Sequence, residues 1–111
     1  MNPSAAPQTQ PGQPRTASFP HDVVGAVARP WLELAERLGH DIWMRDALVH
    51  TGYAHGFRAV VGLTGIGAGD LATAELRAVE HEGRARTYVE LVGWREYTDV
   101  VRRLAPDLRP L

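Results

Sequence analysis

The chain has 111 residues, 44% of them apolar, with a formal net charge of −1 and no cysteine. That is the size of one domain with a single modest core, and it leaves no thiols for a disulfide framework or thiolate metal sites. All twelve basic residues are arginine, and the near balance of charge argues against the basic footprint of a nucleic-acid binder and against a polybasic membrane patch.

Residues 1–20, MNPSAAPQTQPGQPRTASFP, contain five prolines, three glutamines and a single charge. Such a composition buries little and is expected to form a disordered tail, with Phe19 as the one large side chain able to tuck back onto a domain. The domain is expected over residues 21–111. In HDVVGAVARPWLELAERLG, Val23, Val24, Val27, Trp31, Leu34, Ala35 and Leu38 recur at helical spacing. Pro30 lacks an N–H, so a kink or two short helices are expected there, with Gly39 as a stop. HDIWMRDALVHTG follows, with Asp41 as N-cap, Gly52 as terminator and a wide apolar face of Ile42, Trp43, Met44, Ala47, Leu48 and Val49. Phe57, Val60 and Val61 fit a short helix, while FRAVVGL also reads as a buried strand; so short a run does not separate the two.

GLTGIGAG holds four glycines in eight residues and is expected to be a loop anchored inward by Ile66. The next helix has Asp70 as its candidate cap and Gly83 as its candidate stop. Its apolar residues form two stripes, Leu71–Ala74–Ala78 and Ala72–Leu76–Val79, with Glu75 between them. TYVELV, residues 87–92, fits a helix or a strand. Trp94, Tyr97, Val100, Val101 and Leu104 define a final helix, with Arg102 and Arg103 in its last turn and Pro106 beyond its end. The sum is an all-α, compact antiparallel bundle of about six short helices. The alternative is a small α+β ligand-binding or enzymatic domain with FRAVVGL and TYVELVGW as paired strands. A helix-turn-helix DNA-binding regulator is disfavoured by the charge.

Signals for chemistry are sparse. His50 and His55 are five residues apart, off the i, i+4 spacing that aligns two ligands on one helix face. His21, His40 and His81 show no ligand spacing either, so no metal is expected. G-x-G-x-G at 65–69 is followed by no lysine, which excludes a Walker-type phosphate loop. Both serines, Ser4 and Ser18, lie in the tail. Glu80 and Glu82 point in different directions on a helix. Neither an enzyme nor a cofactor is indicated. Charge on helix surfaces remains: Glu75, Arg77, Glu80, Glu82, Arg84 and Arg86 form a mixed-sign run, either simply solvated or able to dock a complementary patch. The three tryptophans are expected in the core, and any one at the surface would be a binding anchor.

Ala72 and Ala74, Glu75, Leu76, Glu80, Gly83 and Arg84, preceded by VVGLTGIGAGDLA and followed by a terminal helix running into LAPDLRP, resemble the bacterial effector-associated domains. The resemblance covers roughly residues 25–108. It implies a death-like helical module with a homotypic interaction role, partnering a protein with a similar helical domain such as a protease or nucleotide-switch effector, or self-associating, in bacterial signalling or defence. No apolar run approaches the ~20 residues that a spanning helix needs, and the N-terminus lacks signal-peptide features, so a cytoplasmic location is expected.

Overall fold

A computed structural model describes residues 19–111. The expected tail lies outside the described residues, apart from Phe19 and Pro20. Four helices follow in order: α1 (His21–Arg37), α2 (Ile42–Val61), α3 (Ala68–Val92) and α4 (Trp94–Leu104), and no strand occurs among the described residues. The all-helical reading therefore holds. The count of about six falls to four, and three expected interruptions are absent.

The first is Pro30, which lies inside a continuous α1. It is exposed, while Ala28, Trp31, Leu34 and Ala35 on either side of it are buried. A shared buried face holds the helix through a residue that costs about 3 kcal/mol in an interior. The second is Gly52, which is buried in the middle of α2. A Cβ built there would stand 2.5 Å from the Cβ of Trp31, and one at Gly56 would stand 2.7 Å from the Val24 carbonyl oxygen. These glycines let α1 and α2 approach closely and do not end a helix. The 31–52 and 24–56 contacts run in opposite senses along the two helices, so the pair is antiparallel. The third is Gly83, which α3 passes through with Ala74, Ala78, Ala85 and Val89 buried on both sides of it. At 25 residues and 1.5 Å rise, α3 is about 37 Å long. Segments 57–61 and 87–92, each open to a strand reading, are the last turns of α2 and α3.

The start of α2 agrees with the sequence. The Asp41 carboxylate accepts from the Met44 N–H at 3.1 Å, capping α2. Asp70 is not a cap: Gly67 occupies that position, and Asp70 lies in the first turn of α3, where a negative charge suits the dipole. Gly93, at φ +109, separates α3 from α4 with a backbone conformation that only glycine adopts cheaply.

Two hydrophobic clusters run through the bundle. One joins Trp31, Leu34 and Ala35 of α1 to Met44, Ala47 and Leu48 of α2, Val89 of α3, and Tyr97 and Val101 of α4. The other centres on Val24, Val60 and Ala74, with Phe19, Phe57 and Ile66 packed against it. Phe19 thus does fold back, 5.9 Å from the Phe57 ring, and Ile66 does anchor its loop. A buried relay ties α4 to α2. The Leu111 N–H donates to the Tyr97 hydroxyl (3.2 Å), and the Thr51 hydroxyl donates to the Ala47 carbonyl (2.7 Å). The Thr51 hydrogen is committed, so the Tyr97 hydroxyl donates to Thr51 Oγ1 across the remaining 2.9 Å. Every member of the relay is satisfied, which is the condition for a buried polar chain to stabilise.

Candidate functional site

The mixed-charge run predicted from the sequence lies on α3. The buried positions of that helix (74, 78, 85 and 89) define the side facing the bundle, and at 100° per residue Leu76, Val79 and Gly83 fall on the far side. Glu75, Arg77, Glu80, Arg84 and Arg86 are exposed, and Glu82 is half-buried. The structure does not treat the six charges alike. Glu82 is held across to α2 by a two-pronged ion pair: Arg58 Nε to Oε2 and Nη2 to Oε1, both 2.9 Å. That arrangement holds the Glu82 carboxyl below its ordinary range, chiefly through the Arg58 hydrogen bonds. Its first job is to fasten α3 to α2. Arg77 and Glu80 pair with each other at 2.8 Å on the same helix. Such a pair is exposed and weak, worth a few tenths of a kcal/mol, and either partner is free to be recruited elsewhere.

Between these charges stand two side chains that the sequence did not single out as exposed. Leu76 is 55% and Val79 58% solvent-accessible. They are three residues apart, one turn along the same side of α3. The double stripe read along this helix contained the signal: a helix packed on one side only must leave its second stripe facing water.

The tryptophans also divide. Trp31 is buried in the core as expected, but Trp43 and Trp94 are exposed, as are Ile42, Leu63 and Leu91. Ile42, Trp43 and Met44 are consecutive, and three adjacent helical residues span too wide an arc to be buried together. Only Met44 turns inward.

The histidines gather in a way their spacing in sequence did not reveal. His50 and His81 come from facing turns of α2 and α3, with their Nδ1 atoms 3.0 Å apart. The His50 ring stacks on Tyr88 and the His81 ring on Phe57. Contact at that distance requires one Nδ1 to donate and the other to accept, so at least the accepting ring is neutral. Burial is the first cause lowering both pKa values from the ordinary imidazole range; at His81 the neighbouring His50 and then Arg84 lower it further, and at His50 Arg84 does. Asp46 opposes the shift at His50 and Glu80 opposes it at His81. His55 is separate: its Nε2–H donates to the Arg109 carbonyl at 2.7 Å, tying down the C-terminal segment. Among the described residues, no group of three or more His, Asp or Glu side chains is placed to share a metal ion. Among the described residues, no helix is long and apolar enough to cross a membrane. Glu80 and Glu82 are drawn to different arginines and do not converge on one point.

Comparison with family models, with curated proteins and with solved structures returns no match to this chain.

Proposed function

We propose that this chain is a non-enzymatic interaction module that pairs with a like helical domain through the outer face of α3. The observation that carries the reading is the exposure of Leu76 and Val79 within a run of three glutamates and three arginines. An apolar centre with a charged surround is the arrangement of an interface core and its rim. A run balanced in sign can meet a copy of itself without net repulsion, which favours a like domain over a partner of one charge. The resemblance to effector-associated domains gives this pairing a context: recruitment of a protease or nucleotide-switch effector that carries a similar module, in bacterial signalling or defence.

The test is multi-angle light scattering on the full chain over a wide concentration range. Self-association is expected, and Leu76→Asp with Val79→Asp should abolish it while leaving the circular dichroism spectrum and melting temperature unchanged. Reversal of charge at Glu80 or Arg84 should weaken it. Glu82 is a poor probe, because its loss also releases Arg58 and loosens the bundle. A chain that neither self-associates nor co-purifies with a protein carrying a similar helical domain, or an assembly indifferent to both aspartates, removes the reading.

A further inference from the structure

A second surface stands apart from the outer face of α3. Where the N-terminus of α2, the C-terminus of α3 and α4 meet, a groove of about 510 Å³ opens between Trp43 and Leu91. Its apolar lining is Met44, Val92 and Val100, and its polar lining is Asp41, Glu96, Asp99 and Arg103. Trp43 and Leu91 are each 51% accessible. Large apolar side chains bordering a concavity are the anchors that binding sites use. Three carboxylates against one guanidinium give the groove a net negative charge.

We propose that this groove docks a basic amphipathic helix, with an aliphatic or aromatic side chain seated between Trp43 and Leu91 and arginines or lysines meeting Glu96 and Asp99. The charge selects this occupant. An acidic or neutral apolar segment would fill the same space but leave the carboxylates unmatched or repelled, and like-charge juxtaposition costs affinity. The cavity is also too small for a whole domain face, and it suits one or two side chains from a helix laid across it. Asp41 is partly committed to the Met44 N–H, so Glu96 and Asp99 carry the recognition. The partner is thus distinct from the like domain proposed for α3, and the module would join two proteins.

The experiment titrates the full chain with two synthetic helical peptides that share the same leucine and tryptophan positions, one with arginines at the polar positions and one with glutamates. Trp43 fluorescence and amide chemical shifts provide the readout. The basic peptide is expected to bind in the micromolar range, perturbing residues 41–44, 91–92 and 96–103, and the acidic one at least tenfold more weakly. Glu96→Arg with Asp99→Arg should cost the basic peptide tenfold or more. Leu91→Asp separates groove docking from plain charge attraction: it adds a negative charge but removes an anchor, so binding should weaken. Tighter binding to Leu91→Asp, equal binding of both peptides, shifts located elsewhere, or no binding of the basic peptide at millimolar concentration would each overturn the proposal. So would a Trp43→Ala variant that turns a self-associating chain monomeric, which would assign the groove to a second copy. Leu76→Asp with Val79→Asp should leave peptide binding intact, so failure of the α3 interface and failure of the groove are distinguishable.

Discussion

Three glycines within helices give the sharpest test of how this bundle is built. Alanine is favoured over glycine in a helix interior by about 0.8–1.0 kcal/mol, so the sign of each substitution depends on what the new methyl meets. At Gly83 it meets nothing within 4 Å, and Gly83→Ala should stabilise by about 1 kcal/mol. For a domain of this size that is a rise of roughly 4–8 °C in Tm. At Gly52 the methyl would be placed 2.5 Å from the Trp31 Cβ, and at Gly56 2.7 Å from the backbone oxygen of Val24, where ordinary contact is 3.4–4 Å. Neither obstacle is the far end of a flexible side chain, so α1 and α2 must separate. Overpacking of this kind costs typically 1–3 kcal/mol, enough to outweigh the propensity gain. Gly52→Ala and Gly56→Ala should therefore lower Tm by several degrees. Thermal melts followed at 222 nm measure all three. If Gly52→Ala and Gly56→Ala stabilise as Gly83→Ala does, then α1 and α2 do not approach at those points and the antiparallel packing is wrong.

Other outcomes follow from the same contacts. Pro30→Ala restores a backbone donor inside α1 and should raise stability by about 1–3 kcal/mol, the helix-propensity difference less the unfolded-state entropy that proline removes; a fall in Tm would mean that the helix is interrupted there. Tyr97→Phe removes the acceptor of the Leu111 N–H and one link to Thr51, at about 1–2 kcal/mol in urea denaturation. A double-mutant cycle with Thr51→Val should show coupling, since both lose the same bond; strict additivity would break the relay. His50 and His81 have folded pKa values below 6.5, so the unfolded chain binds protons first as pH falls. Their neutral pair is fully maintained above about pH 7, and stability should decline from pH 6.5 downward as the folded values are approached. His81→Phe should flatten that slope below about pH 6.5, and an unchanged slope would dissociate it from the histidines.

The sequence made the helical class legible because apolar residues recur at helical spacing in residues 23–38 and 94–104, and because Asp41 and Pro106 are physical terminators wherever the packing lies; residues 57–63 and 87–92 are too short to separate helix from strand. It misplaced the breaks at Pro30, Gly52 and Gly83 for one reason. A helix breaker acts only when nothing outside the helix holds the chain on either side of it, and tertiary burial is invisible in local spacing. Gly52 in particular looks the same in sequence whether it ends a helix or admits a neighbour. The charged run on α3 was legible as a run, but the engagement of Glu82 with Arg58 was not, because their 24-residue separation depends on the α2–α3 register. The His50–His81 contact was hidden in the same way. The exposure of Leu76, Val79 and Trp43 was not read from the sequence, although their helices carry more apolar positions than one packed side can accept.

Amide chemical shifts recorded from dilute to millimolar protein test the central claim most directly. The outer-face reading predicts concentration-dependent shifts centred on residues 72–83, strongest at Leu76 and Val79, that vanish in Leu76→Asp. Shifts that are absent throughout, or that cluster on α1 and spare α3, would contradict it.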